Sequence, residues 1–371
     1  MSPIERLRRQ TVARSLFEAT DLAEGLRRLG FVQADPIRAP ARAQDLILRQ
    51  RVANYRAGDL EAQFEALSVA EDMLHVYGFL PREHLRLLHP RNRNRIWSVE
   101  TEHPHLRRAI LAHLATNGPT HPRSLQQVLG KASVKNGWGG NSAATTRMLE
   151  ALHYEGRLAV VRREGGIRIY GPSERQKAEL NPTERARGLI LLLAHLYAPL
   201  PLPSLRELLS ALGDRAPETV DLRTLLEKLI KRKHLHVQSV DGIPYVWPVF
   251  DTVDDEIPDR VALLAPFDPI VWDRRRFEHL WGWRYRFEAY TPAARRQFGY
   301  YALPVLWRAA IVGWANLRWD GTSLHAQLSY VGTPPRGRGY QRALDLELAR
   351  MQEFLQVKDA SGSDLEQSGR A

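Results

Sequence analysis

The feature that most restricts the fold of this chain is a repetition. Two stretches, 105–170 and 183–247, run through the same order of helix, helix, helix and a pair of short β runs. In the first, helices are expected over 106–117, 123–129 and 143–156, and the β runs 158–161 and 167–170 are joined through Glu164-Gly165-Gly166. In the second, helices are expected over 184–197, 205–212 and 222–233, and the β runs 235–238 and 245–247 are joined through Asp241-Gly242. Gly-Gly and Asp-Gly suit tight hairpins because such turns need left-handed backbone.

Three helices followed by a hairpin is the winged-helix order. The third helix can enter a major groove and the hairpin can reach the backbone or minor groove. Many winged helices bind only protein, so the pattern alone does not name a partner. Charge adds to it. Lys and Arg number 53 against 42 Asp and Glu, a formal net charge of +11. Arginines cluster at Arg91-Asn92-Arg93-Asn94-Arg95, Arg162-Arg163, Arg274-Arg275-Arg276 and Arg295-Arg296. Such a surface attracts polyanions, and guanidinium forks match phosphate oxygens, which puts nucleic acid ahead of an anionic membrane. In the first wing, Arg162, Arg163 and Arg168 surround a glycine turn that lets the backbone approach a phosphate. Simple alternation puts Arg162 and Arg168 on outward positions. The second hairpin is more apolar, and Lys231, Arg232 and Lys233 suit a helix C-terminus, so the second unit is expected to act more as scaffold.

Ahead of the repeat lies Phe31-Val32-Gln33-Ala34-Asp35-Pro36-Ile37, between a helix expected to start at Thr20 and close at Gly30 and an apolar run from Pro40 to Val52. Asp-Pro pushes Asp35 into an extended conformation. Extended chain alternates its side chains, so Gln33 and Asp35 are expected to share one side. A polar turn between helices is the plain alternative. The remainder to about residue 90 reads as helix, with one segment at 60–67 and another at 71–80. The latter carries His75, either an ordinary core or surface histidine or a neighbour facing Gln33 and Asp35.

From Val261 the texture changes to short β runs. A buried strand leads into Pro266-Phe267-Asp268-Pro269, residues 285–290 alternate as a strand, and further runs follow at 300–306, 309–317 and 324–330. An antiparallel sheet is the natural solution. A helix over 341–357 and a polar tail, 358–371, expected to be disordered, end the chain. The fold class is thus mainly α with small β-sheets (α+β). Its expected parts are an N-terminal helical or winged-helix-like region with the Gln33–Asp35 segment (1–100), winged helices at 101–175 and 180–250, and a C-terminal antiparallel sheet and helix (260–357).

Several chemistries are excluded. Without cysteine there is no disulfide, thiol nucleophile or thiolate metal site. Gly-x-Ser-x-Gly, a phosphate-cradling glycine loop and His-Glu-x-x-His are all missing. No apolar run is long enough to cross a bilayer, and the N-terminus lacks the apolar core of a signal peptide. The expectation is a cytoplasmic monomer that needs neither metal nor cofactor.

The chain resembles the bacterial winged-helix DNA glycosylases of the AlkZ/YcaQ type, the crosslink repair glycosylases. The resemblance rests on Val32-Gln33-Ala34-Asp35, the His75 segment ending Phe79-Leu80-Pro81, Gly118-Pro119 with Trp138, and Val161-Arg162-Arg163 with Arg168-Ile169-Tyr170. It is densest over Pro266-Phe267-Asp268-Pro269-Ile270-Val271-Trp272-Asp273-Arg274, Tyr285-Arg286-Phe287-Glu288-Ala289-Tyr290-Thr291-Pro292 and Arg296-Gln297-Phe298-Gly299-Tyr300-Tyr301. What it implies is removal of N7-alkylated purines and unhooking of interstrand crosslinks in double-stranded DNA. The motif would be of the Gln-x-Asp form, with Gln33 and Asp35 as the catalytic pair. Two departures stand out. Ala34 takes the place of a bulkier aliphatic. Ile311-Val312-Gly313 is followed by Trp314-Ala315-Asn316-Leu317-Arg318, where members often carry Arg-x-Asp-x-Lys.

Two readings therefore stand. One is a monofunctional glycosylase. The other is a non-enzymatic winged-helix DNA binder that keeps the fold, for which a dimer on a palindrome would be usual, although nothing here reads as a dimerisation coiled coil.

Overall fold

In the computed structural model, helices begin where local chemistry caps them. Ser2 and Glu5 form a capping box at the start of α1 (Pro3–Ser15). Asp21 accepts from the Glu24 amide at the start of α2 (Leu22–Leu29), and Gly30 closes that helix at φ 68°. Thr20, expected as the cap, instead bridges to Val52, because the Asp21 carboxylate lies one residue nearer the open amides. The structure describes residues 1–91, 96–135, 140–173, 180–250 and 257–356. Trp138, positions 92–95 of the arginine run, and the tail expected to be disordered lie outside them.

After α2 the chain forms a short strand, β1 (Val32–Gln33), and then α3 (Ala43–Leu48). The helix expected over 71–80 is a hairpin instead: β2 (Val69–Met73) and β3 (Tyr77–Pro81), with His75 in the turn. The three strands form an antiparallel sheet in the order β1-β3-β2. Gly78 shows why. It faces Gln33 in the register, and a Cβ there would collide with the Val32 carbonyl and the Phe31 ring. Close backbone approach selects glycine and a strand where local pattern suggested a helix.

Each repeat is three helices followed by a hairpin, and the first also carries a short strand pair not expected from the sequence, Ser133–Lys135 with Asn141–Ala143, between its second and third helices. The first has helices Pro104–Asn117, Pro122–Leu129 and Ala144–Tyr154 and the hairpin Leu158–Glu164/Ile167–Pro172. The second has helices Pro182–Leu196, Leu202–Ala211 and Leu222–Lys231 and the hairpin Leu235–Val240/Ile243–Pro248, with Leu200–Pro201 added as a third strand. Its core takes in Phe31, Leu74 and Leu80 from the N-terminal region, so this unit packs directly against the segment that carries Gln33.

The C-terminal sheet runs Val261–Leu263, Leu303–Trp307, Ala310–Trp319, Leu324–Tyr330, all antiparallel, and the helix Arg338–Leu355 closes it. Residues 285–290, expected as a strand, join no sheet. The buried Glu288 carboxylate instead takes the Gln297, Phe298 and Gly299 amides at 2.9, 2.7 and 3.3 Å and bends the segment into a loop. One apolar core joins α2, α3 and β1 to this sheet and its helix. The fold is therefore mainly helical with small sheets.

Candidate active site

Gln33 is held on both sides. The β1–β3 ladder fixes its backbone, and the Ala34 amide extends it by bonding the Tyr77 carbonyl at 3.0 Å. Its side-chain Oε1 accepts from Trp272 Nε1 at 3.2 Å. Trp272 ends a one-turn helix, Pro269–Trp272, capped by Asp268. Asp268 is fully buried and grips Arg51, just past α3, with two bonds of 2.8 and 3.0 Å. The Pro266-Phe267-Asp268-Pro269 motif thus ties the C-terminal region to α3 and sets the tryptophan that sets Gln33.

Asp35 leaves the ladder and is half-buried. Its amide bonds Oε1 of the buried Gln44 at 3.3 Å, and its Oδ1 accepts from the Ile37 amide at 2.9 Å. Among the described residues no cation pairs with it. Burial pushes its carboxyl above the ordinary range, opposed by the Ile37 N–H. Close by is Tyr301, whose hydroxyl is buried without a partner among the described residues. Burial first, and then the Asp35 charge, hold that phenol un-ionised.

His75 sits behind Trp272 rather than beside Asp35. Its ring lies edge-on to Trp272 at 5.1 Å, Nε2 is 2.8 Å from the Tyr197 hydroxyl, and Tyr197 stacks on Trp272 at 4.3 Å. Burial, with Arg215 adding to it, lowers the imidazole pKa to about 3. At neutral pH it is uncharged and acts as a wall behind the tryptophan. No three His, Asp or Glu side chains among the described residues converge as metal ligands.

The wing arginines divide. A register shift between Val160 and Arg162 places Arg163 opposite Arg168, so Arg168 turns inward and not outward with Arg162 as simple alternation suggested. A bulge changes which face each residue takes. Arg163 makes a two-pronged ion pair with buried Glu71 at 2.7 and 2.6 Å, and the Tyr77 hydroxyl donates to the same carboxylate. Arg168 lies 4.4 Å over the Tyr77 ring. Both dock the wing onto the β2–β3 hairpin, beside the strand pairing that positions Gln33. Arg162 remains at the surface on Glu164. The sequence did not single out Gln44, Arg51 or Tyr301, and Trp272 entered only as part of the family-like stretch 266–274; Gln44 and Arg51 lie within an ordinary apolar pattern, and Tyr301 and Trp272 lie far from Gln33 and Asp35 in the chain.

Two tandem winged helices joined to a C-terminal antiparallel sheet make this a protein of the winged-helix class. The family described as DNA glycosylase AlkZ-like matches residues 26–354, and the chain belongs to that family. Its members are DNA glycosylases, hydrolases of N-glycosyl bonds, so DNA is the substrate. Among solved structures, the fold is similar to Streptomyces sahachiroi DNA glycosylase AlkZ, with a TM-score of 0.62 at 14% identity over 95% of this chain and 96% of that one. No helix among the described residues is long and apolar enough to cross a membrane.

Proposed function

We propose that this protein excises N7-alkylated purines from double-stranded DNA as a monofunctional glycosylase, and that its range extends to unhooking interstrand crosslinks through such purines. An N7-alkylpurine is already cationic. It takes the electron pair of the glycosidic bond as it leaves and needs no general acid. What remains is to stabilise positive charge on the sugar and to aim one water at the anomeric carbon. Asp35 as a carboxylate does the first electrostatically and takes the proton that the attacking water loses. Gln33 orients that water.

The observation that carries the reading is Asp35 itself, a half-buried carboxylate with one backbone N–H and no cationic partner among the described residues. A carboxylate held this way costs stability, and a developing cation would offset that cost.

The test is base release from duplex DNA containing N7-methylguanine, and from a nitrogen-mustard crosslink, by wild type and Asp35→Asn. Release by wild type and none by Asp35→Asn, with duplex binding retained, is the expected result. Binding without release by either protein would favour the DNA-binding reading.

A further inference from the structure

Tyr290 is 80% exposed, more than any other large apolar side chain among the described residues. Single exposed hydrophobics are ordinary, but this one sits on a built support. Its loop is tied from within by Glu288, whose carboxylate holds three backbone amides and whose carbonyl accepts from Thr291 at 3.0 Å. Behind it, Trp314 Nε1 and Asn316 Nδ2 both donate to the Phe298 carbonyl, at 2.9 and 2.7 Å. These two residues occupy the stretch where this chain departs from Arg-x-Asp-x-Lys. Its sheet thus spends those positions on bracing the loop.

The loop also adjoins the active site. Tyr290 contacts Phe287 at 6.0 Å, and Phe287 meets Tyr301 edge-on at 5.4 Å. Phe287 packs on the same core as Ala34, Ile37 and Ala39, which flank Asp35. Arg286 and Arg295 are exposed on the same segment, and Arg296 lies 5.0 Å over Tyr300. Cations and an outward aromatic on a rigid loop are the means by which proteins contact phosphates and stack on bases.

We propose that Tyr290 enters the duplex beside the damaged nucleotide and stacks in the space left when that nucleotide turns out toward Asp35, a role that rests on the glycosylase reading above. A base taken out of the stack leaves a gap whose opening must be stabilised. A preformed ring supplies that stabilisation without ordering a flexible side chain on binding.

The experiment compares affinity for an intact duplex with affinity for the same duplex carrying a tetrahydrofuran abasic site. It uses wild type, Tyr290→Ala, Tyr290→Phe and Asp35→Asn, with base release measured in parallel. Wild type is expected to prefer the abasic duplex, because the gap admits the ring without unstacking. Tyr290→Ala should lose about tenfold in abasic affinity with little change on intact DNA, and Tyr290→Phe should retain the preference. Equal affinity of Tyr290→Ala and wild type for the abasic duplex overturns the proposal, as does an equal loss on both duplexes. Base release by Asp35→Asn is read separately: full release would sink the catalytic reading and leave the Tyr290 comparison standing.

Discussion

Trp272 and Gln33, 239 residues apart in the chain, meet through a hydrogen bond from the indole to the amide oxygen. An indole nitrogen only donates, so the amide orientation is set: Oε1 faces Trp272, and the NH2 end is left for another partner. No described residue accepts from that end. The end of Gln33 left open is therefore a donor, and on the proposed mechanism that donor would hold the oxygen of the water whose proton passes to Asp35.

Trp272→Phe keeps an aromatic ring against Tyr197 and His75 but removes the donor. Base release under single-turnover conditions should fall about tenfold, near the upper worth of one hydrogen bond, with DNA affinity little changed. Because Trp272 acts through Gln33, Gln33→Ala added to Trp272→Phe should cost little more than Gln33→Ala alone. Fully additive losses would show that Trp272 acts by another route.

Asp35 makes a pH prediction with two parts. Its pKa in the folded protein is raised, by burial, above the unfolded value. On the proposed mechanism the ionised form is the active one, so base release should fall on the acid side at a pH above the ordinary carboxylate range. For stability the sign is the reverse of a salt-bridged acid. Folding favours the protonated form, so wild type loses stability as pH rises from the unfolded pKa to the folded one. Asp35→Asn escapes that loss. Its melting temperature should equal wild type's at low pH and exceed it at neutral pH, in thermal scans at both pH values. A lower value at neutral pH would mean that the carboxylate supports the fold.

Much of this architecture was legible from pattern. Gly165-Gly166 and Asp241-Gly242 mark their hairpins by turn chemistry alone, and Asp35-Pro36 marks the extended segment by a steric rule. What stayed hidden depends on distant partners. The β2–β3 hairpin lacks clean alternation, since its strands are selected by pairing with β1 and by the close approach at Gly78. Residues 285–290 do alternate, yet Glu288 captures amides that a ladder would have used. In the first wing, one bulged residue was enough to turn Arg168 away from Arg162. Gln33-Ala34-Asp35 is a local pattern, whereas Trp272 and Arg51–Asp268, which brace that segment, are long-range contacts that no local period encodes.

The division among the wing arginines can be separated by experiment. The Arg163 side chain is nearly buried, and its partner Glu71 is wholly so. Removing one member of a buried pair leaves the other charge uncompensated, at a cost of about 3 kcal/mol or more. Arg163→Ala should therefore lower the denaturant midpoint clearly and, by loosening the wing from the β2–β3 hairpin, also slow base release. Arg162 is paired at the surface with Glu164, where such pairs contribute about 0–1 kcal/mol. Arg162→Ala should leave stability almost unchanged. If Arg162 leaves Glu164 for a phosphate on binding, the same change should reduce the slope of log affinity against log salt by about one. Urea unfolding and DNA titrations at several salt concentrations check both. Equal stability losses for the two variants would contradict the buried docking of Arg163, and an unchanged salt slope for Arg162→Ala would take that side chain out of the DNA interface.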